Sequence, residues 1–532
     1  MLLTYDYIIV GSGSSGGMIA FRLSENPDVR VLLLEAGPTD KHWSTTMPAG
    51  ARYTFNGGPR NWCFDTQPEP FMNNRVIFQP RGKTLGGSSS LNGMVFVRGH
   101  PLDFEHWNSV APGWDYSSVK PFYKKMERYQ SSGHDARGQS GPIGVQKLTD
   151  NHPIESAFLR AGVQAGYPQP DDYNSGRAQE GVTQFDANID RGWRSGTARE
   201  CVRPAMTRSN CTVLTGAHVT SIVIETNRAV GVEFQRKGQN FTARAESEVI
   251  LSAGAFQSPQ LLMLSGIGPA GELKKHGIGI VQDMPGVGEN LQDHLEVHIK
   301  YRCKKGLAKN SALTKPRIAA AGIQWWLFKT GLAATSASQV GGFFRSCSAA
   351  QYPDIQFHFW PYYLDGWSPP PDQDGYCFDV GPVRSDSRGW VKLRSADPFA
   401  KPLIQLNGLS CDADFQRFRQ AIGIARDIAA QSAFEYLQGK EDSPGAHVTG
   451  EAQLNEYVRN HANSAYHPCG TARMGQDEMA VVDEQGKVHG MERLRVADAS
   501  IIPTITNGNI NAPCIMIGEK IADSIIKSQS AG

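Results

Sequence analysis

Near the start of the chain, Gly11-Ser12-Gly13-Ser14-Ser15-Gly16 carries the spacing G-x-G-x-x-G, and Glu35 follows 19 residues after Gly16. Each residue type in that pattern has a task in holding a dinucleotide. Gly11 allows a tight turn, Gly13 lets the backbone approach a pyrophosphate, and Gly16 lets a helix pack close to a strand. A helix starting here offers free N–H groups and a positive dipole end to phosphate. Glu35 can accept hydrogen bonds from both hydroxyls of an adenosine ribose and would repel a 2′-phosphate, which disfavours NADP. The elements that must aim these groups are legible too. Tyr5-Asp6-Tyr7-Ile8-Ile9-Val10 is a β-rich run, residues 18–23 suit a helix, and Val31-Leu32-Leu33-Leu34 is a second apolar run ending in Glu35. Strand, turn, helix, strand and acid in this order form a complete βαβ dinucleotide fingerprint. It does not separate NAD from FAD.

A second ligand-like stretch, Arg81-Gly82-Lys83-Thr84-Leu85-Gly86-Gly87-Ser88-Ser89-Ser90-Leu91-Asn92-Gly93-Met94, lies between Val76-Ile77-Phe78 and Val95-Phe96-Val97. Its glycines and serines can wrap backbone N–H groups around a ligand, and Arg81 and Lys83 suit an anionic one. Farther on, Glu248-Val249-Ile250-Leu251 runs into Ser252-Ala253-Gly254-Ala255, a strand ending in small residues that again permits close approach.

Composition narrows the class. The 532 residues suffice for two or three domains. A net charge of +1 from 53 basic and 52 acidic residues, without a long basic run, does not recommend a nucleic-acid partner. No run of about 18 apolar residues occurs, so no transmembrane helix is expected. The first residues enter a core strand at once and leave no room for a secretory signal. Cytoplasmic residence is the expectation, with peripheral membrane association left open. Nine cysteines, an odd number without C-x-x-C, argue against a disulfide framework or zinc site, and no metal is expected.

Residues 212–214, 219–224, 229–234 and 248–251 read as strands, and residues 259–265 as a helix. From about residue 301 to 464 the texture changes. Trp325, Trp326, Phe357, Phe359, Trp360, Tyr362, Tyr363 and Trp367 crowd together, residues 368–371 look like a surface loop, and residues 388–393 and 403–406 read as strands. Residues 415–431 have helical periodicity, with Phe418, Ala421, Ile422 and Ala425 apolar. The chain ends in an amphipathic helix over 515–526.

With these segments laid out in order, the chain resembles the glucose–methanol–choline (GMC) oxidoreductases, closest to the choline dehydrogenase branch. Arg81 to Gly93 is similar to the family's first signature. Gly254-Ala255-Phe256-Gln257-Ser258-Pro259 through Gly268-Pro269 is similar to its second. Gly286-Val287-Gly288-Glu289-Asn290-Leu291-Gln292-Asp293-His294, Tyr466-His467-Pro468-Cys469-Gly470-Thr471 and Asp498-Ala499-Ser500 resemble further family segments. The resemblance implies an α/β fold with a Rossmann-like FAD-binding domain assembled from residues 1–150, 195–300 and 465–532. The remaining residues, 151–194 and 301–464, would form an α+β substrate domain with a mostly antiparallel sheet. It implies FAD contacts from Gly11, Ser12, Gly13, Ser14, Ser15, Gly16, Glu35, Thr84, Gly87, Ser88, Asn92, Gly93, Met94, Val95, Val219, Ala253, Gly254, Ala497, Asp498 and Asn509. Some relatives attach FAD through a histidine in the first signature. Leu91 occupies that position and cannot form the bond, so non-covalent FAD is expected.

The implied reaction is oxidation of a primary alcohol to an aldehyde by hydride transfer to flavin N5, with oxygen or another acceptor reoxidising the flavin. A histidine suits the proton transfer because its pKa lies near working pH. The resemblance assigns His467 as that base and pairs it with a His or Asn some forty residues later. Alignment from Asp498-Ala499-Ser500 places Asn509 there, with Asn511 as competitor. It also makes His358 a wall of the substrate site. Cys469, two residues from His467, invites a nucleophile reading, but thiolate chemistry has no part in hydride transfer. Trp360, Tyr362, Tyr363 and Trp367 could cage a quaternary ammonium. The choline-dehydrogenase-like branch it resembles commonly carries an acidic residue in the segment that here reads Ala337-Ser338-Gln339-Val340-Gly341-Gly342; Gln339 occupies that place, which favours a neutral primary alcohol over choline. Choline oxidation proper, and a lyase-type member that does not turn the flavin over, are the alternatives.

Overall fold

The apolar run at the start of the chain becomes the strand Leu3–Val10, which lies inside a seven-stranded sheet of the computed structural model. Described here are residues 3–131, 135–149, 152–365 and 369–530. The sheet runs in the order Cys211–Thr215, Val31–Glu35, Leu3–Val10, Gln239–Leu251, Arg228–Arg236, Ala217–Glu225, with Leu494–Val496 also paired to Gln239–Leu251. The strands around Leu3–Val10 are parallel. Val31–Glu35 is buried at every position, as expected of a parallel strand covered on both faces. Gln239–Leu251 changes partner along its length. Its first half pairs antiparallel with Arg228–Arg236, and its second half lies parallel to Leu3–Val10 and Leu494–Val496. The helix Ser14–Leu23 packs against the last helix, Asn511–Ser530, and Arg22 Nε donates to the fully buried Glu519 at 2.8 Å.

A second seven-stranded sheet is antiparallel throughout. Its order is Lys440–Ser443, Leu295–Arg302, Gly375–Pro382, Ile355–Trp360, Val340–Phe344, Gly181–Gln184, with Asn463–Ser464 on the same edge of Leu295–Arg302. Side chains alternate along these strands. Val297, Ile299, Phe357, Phe359, Phe378 and Val380 pack into an apolar core with the helices Pro153–Gln164 and Asp412–Ala429. The intervening positions, Glu296, His298, Gln356, His358, Trp360 and Asp379, therefore face the other way. Register sets His298 opposite Asp379 on one side and His358 opposite Asp379 on the other.

The strands read at 212–214, 219–224, 229–234 and 248–251 all form, and the helix read at 259–265 spans Gln257–Leu264. The final helix is longer than its amphipathic stretch because it begins at Asn511, beside the first helix. Val95-Phe96-Val97 is not a strand. Phe96 N–H bonds Asp186 O at 2.9 Å, and Val95 makes only an isolated bridge to Ala187. The strand Leu295–Arg302 of the second sheet begins a few residues before the texture change at 301. Among the described residues, no helix is long and apolar enough to cross a membrane. Trp367 and Ser368 lie outside the described residues.

Candidate active site

A cavity of about 920 Å³ opens between the two sheets, bounded at one end by Gly13 and Glu35 and at the other by His467, Asn509 and His358. At the first end the glycines divide the work by what surrounds them. A Cβ on Gly11, whose φ is +96°, would lie 2.4 Å from Ser252 O, and one on Gly16 would lie 2.0 Å from Gly11 O. On Gly13 it would meet nothing within 4 Å, because that face borders the cavity. Behind it starts the helix Ser14–Leu23, with Ser14 and Ser15 on the cavity wall. The Gly86–Gly87 turn closes over the same point, and a Cβ on Gly87 would lie 2.9 Å from Gly13 Cα.

Glu35 ends its strand in the wall. Its Oε2 accepts from Ser12 Oγ at 2.6 Å and its Oε1 from Gly37 N–H at 2.8 Å. Burial pushes this carboxyl up, and the bonds from Ser12 and Gly37 pull back toward the ionised form. Asp498 plays an organising part. It accepts from Gly254 N–H at 2.8 Å and Ser258 Oγ at 2.6 Å with one oxygen, and from Ser500 with the other. Of the expected cofactor residues, Gly11, Gly13, Ser14, Ser15, Glu35, Gly87, Ser88, Asn92, Gly93, Met94, Val95, Val219, Ala253, Gly254, Asp498 and Asn509 border the cavity. Ser12, Gly16, Thr84 and Ala497 are not among the lining residues: Ser12 braces Glu35, Gly16 packs on Gly11, Thr84 Oγ1 bonds Pro38 O, and Ala497 O accepts from Ser252 Oγ. A helix N-terminus, a bare glycine and a ribose-facing acid in one wall fit the phosphates and adenosine of FAD.

At the far end, Asn509 Nδ2 lies 3.1 Å from His467 Nε2, and His467 Nδ1 lies 3.0 Å from His294 Nδ1. An amide N–H can only donate, so Nε2 is the acceptor and the ring proton sits on Nδ1, toward His294. Asn509 Oδ1 in turn accepts from Gln356 Nε2 at 3.0 Å. The backbone holds His467 firmly. Its N–H donates to Asp293 Oδ1 at 2.7 Å, Tyr466 O accepts from Arg81 Nη2 at 2.6 Å, and Cys469 and Gln292 exchange both backbone hydrogen bonds. Burial, then His294, His358 and Arg81, hold the His467 pKa well below its ordinary value, so the ring is neutral and able to take a proton. Asn511 sits elsewhere in the wall. It accepts from Ser14 Oγ at 2.8 Å and donates to Asn188 Oδ1 at 3.2 Å. Burial drives the Cys469 thiol well up, away from thiolate.

The substrate wall differs from expectation. Gln339 is buried, its backbone carbonyl bonded to Phe185 N–H, and is not among the cavity-lining residues. The premise that its neutral amide leaves the site without a carboxylate is corrected, because Glu296 and Asp379 both line the cavity beside His358 and Trp360. Tyr362 lines it as well. Tyr363 turns its hydroxyl to Asp442 instead, and Trp367 lies outside the described residues. Sequence reading stopped at His294, the end of a motif. The signal lay just beyond it, in the period-two polar positions Glu296, His298 and Lys300 of an otherwise apolar strand. Asp379 left no comparable trace, since its strand Gly375–Pro382 is buried throughout.

A dinucleotide βαβ unit joined by one cavity to a neutral histidine–amide pair defines a flavin-dependent oxidoreductase. Residues 5–296 match the N-terminal part, and residues 385–518 the C-terminal part, of the GMC oxidoreductase family. The chain is similar to the oxygen-dependent choline dehydrogenase of Brucella suis biovar 1 (strain 1330), at 46% identity over 98% of this chain and 95% of that one. Human mitochondrial choline dehydrogenase is 46% identical over 99% and 90% of the two chains. Formate oxidase from Aspergillus oryzae RIB40, a structure described for its FAD modification, superposes with a TM-score of 0.94 at 30% identity, covering 100% and 99% of the chains. The chain belongs to the GMC oxidoreductases, and it is an FAD-dependent oxidoreductase acting on CH–OH donors.

Leu91 borders the cavity, and an aliphatic side chain offers no atom for a flavin bond. Acid precipitation of the purified protein therefore releases the yellow colour into the supernatant. Colour that stays with thoroughly unfolded protein would show a covalent link.

Proposed function

We propose that the chain oxidises a primary alcohol carrying a quaternary ammonium head, of the choline type, to the corresponding aldehyde, with His467 as base and Asn509 as the group that positions the hydroxyl. The observation that carries the substrate class is the pair of buried carboxyl groups, Glu296 and Asp379, in the wall that also presents Trp360 and His358. A cation–π contact alone supplies roughly 0.5–2 kcal/mol. A buried negative charge adds the discriminating attraction that a neutral wall lacks. The relatives named for choline point the same way.

Bound FAD supplies the acceptor for the hydride that leaves the carbinol carbon. A hydroxyl resting against both Asn509 Nδ2 and His467 Nε2 donates its proton to the ring and accepts from the amide, replacing the direct 3.1 Å contact between them. The test of substrate class compares choline with 3,3-dimethylbutan-1-ol, the same shape without charge. A preference for choline above about a hundredfold in kcat/KM, worth ~2.7 kcal/mol, supports the reading, and equal or reversed preference removes it.

The Asn509 assignment has its own check. Asn509→Ala slows anaerobic flavin reduction by at least about tenfold, the lower end of what a lost transition-state hydrogen bond costs. Asn511→Ala instead weakens FAD retention, because its side chain bonds Ser14 at the mouth of the first helix. The opposite pattern would exchange the two roles.

Peripheral contact with an anionic lipid surface fits the cavity mouth. The helix Lys315–Phe328 turns Ile318, Ala321 and Trp325 inward, while Ile323, Leu327 and Phe328 are exposed and Trp326 is 71% exposed. Residues 297–353 contain no Asp or Glu, and Lys315 and Arg317 flank the apolar face. A second copy laid symmetrically on this face would bring like charges together. Aromatic and basic residues on one helix instead suit headgroups and the acyl boundary. The protein sediments with phosphatidylglycerol vesicles in low salt, and Trp326→Ser with Phe328→Ser releases it. Equal sedimentation with neutral vesicles, or none with either, would count against this contact.

A further inference from the structure

Glu296 and Asp379 form an arrangement that a single ammonium-binding carboxylate does not require. They come from neighbouring antiparallel strands. Asp379 stands opposite His298, and Glu296 lies two residues before His298 on the same face, so the two carboxyl groups are diagonal neighbours. One oxygen from each and a ring nitrogen of His358 all lie within 4.8 Å of one another. The two side chains are buried, with exposures of 8% and 2%, and Trp360 stands in the same wall. Two carboxylates this close and this dry do not both ionise unless a positive charge joins them.

Among the described residues, no neighbour on these strands supplies that charge. His298 Nε2 lies 3.7 Å from Asp379 Oδ1, but burial pushes its pKa down to about 3. Burial likewise lowers His358 to about 4. Burial drives the Cys377 thiol well up, so it stays neutral, and Asp293, on the approach to the same strand, adds only negative potential at Glu296. Lys300, two positions past His298, sends its Nζ over the Tyr363 ring at 5.8 Å. Burial, and for Glu296 also the charge on Asp379, raises both carboxyl groups, Asp379 to about 7.

We propose that Glu296 and Asp379 hold one proton between them and that the cationic head of the substrate competes with that proton for the pair, so that cation capture releases a proton. The proposal rests on the cationic-substrate reading above. Linkage gives its sign. The more ionised pair binds the cation better, so affinity for a cation rises with pH through the neutral range. A neutral isostere gains nothing from ionisation and does not share this slope. Asp379 is then a specificity-determining residue that sets the pH at which the cation site forms.

The experiment measures KM for choline and for 3,3-dimethylbutan-1-ol from about pH 6 to about pH 9, spanning the range in which such a pair titrates. Groups that act on both alcohols, His467 included, cancel in the ratio. The expected result is a KM ratio that shifts toward choline by up to ~10-fold per pH unit. Asp379→Asn, which keeps the shape, weakens the slope of the ratio over the same range, because Glu296 loses the acidic neighbour that adds to the effect of burial. Tetramethylammonium, which has no hydroxyl to oxidise, titrated calorimetrically into holoenzyme in two buffers of different ionisation heat shows a buffer-dependent enthalpy. Retained choline preference with parallel KM profiles and no buffer dependence overturns the shared proton alone. Absence of choline preference at every pH overturns the substrate reading and the proposal with it.

Discussion

Replacing His467 with alanine is expected to lower kcat by roughly 10²–10⁴-fold, the range for loss of a general base, while the protein stays yellow. The His467 ring makes none of the hydrogen bonds that brace Glu35 or Asp498, so losing it leaves those contacts in place. Its neighbours cannot stand in for it. His294 reaches only the far nitrogen of the ring, and Asn509 has an amide that does not titrate. His358 lines the same cavity, but its ring is taken up by Gln356 and Asn509, and burial lowers its pKa to about 4. Anaerobic stopped-flow reduction of the flavin band is the direct readout. A variant that reduces its flavin near the wild-type rate would take His467 out of the proton transfer.

Glu296→Gln carries the second large effect. The substitution keeps volume and hydrogen bonding but removes the charge that faces a cationic head. Truncating one partner of a buried charge pair costs about 2–5 kcal/mol, so choline kcat/KM falls by roughly 30- to 5,000-fold by the usual rate arithmetic. For 3,3-dimethylbutan-1-ol the change stays within about tenfold, since an apolar head loses no ionic partner. The contrast between the two alcohols is the measurement. Equal losses on both would mean that Glu296 shapes the pocket without reading charge. Gln356 makes a useful control beside it. It lies on the same face of the sheet and orients Asn509 rather than the ammonium, so Gln356→Ala slows both alcohols alike.

The residues of the FAD end were legible in the sequence because they are contiguous. Gly11 through Gly16 and Glu35 belong to one βαβ unit, and within such a unit spacing fixes geometry: a tight turn, a helix start and the end of the next strand follow from local backbone conformation. The structure then assigned each glycine its reason, open space at Gly13 and a backbone in contact at Gly11 and Gly16. His467 was reached through its motif, and the choice between Asn509 and Asn511 needed the three-dimensional contact, because two asparagines two residues apart look alike until one is seen on the ring and the other on Ser14.

The chemistry of the cofactor, then, was determined by the sequence alone: local motifs encode local geometry, and family segments in order encode the rest of the FAD site. The proposed substrate preference rests on what only tertiary structure decided. Glu296 and Asp379 are 83 residues apart in the chain and meet through antiparallel register, as do Asp379 and His358. Register is a property of the assembled sheet, set by which faces bury their apolar side chains, and a shift of one residue would turn each of these groups into the core. Gln339 drew attention by its position in a segment, yet packing put it behind the wall, while the charge that the wall carries arrived from two strands that no local pattern joins.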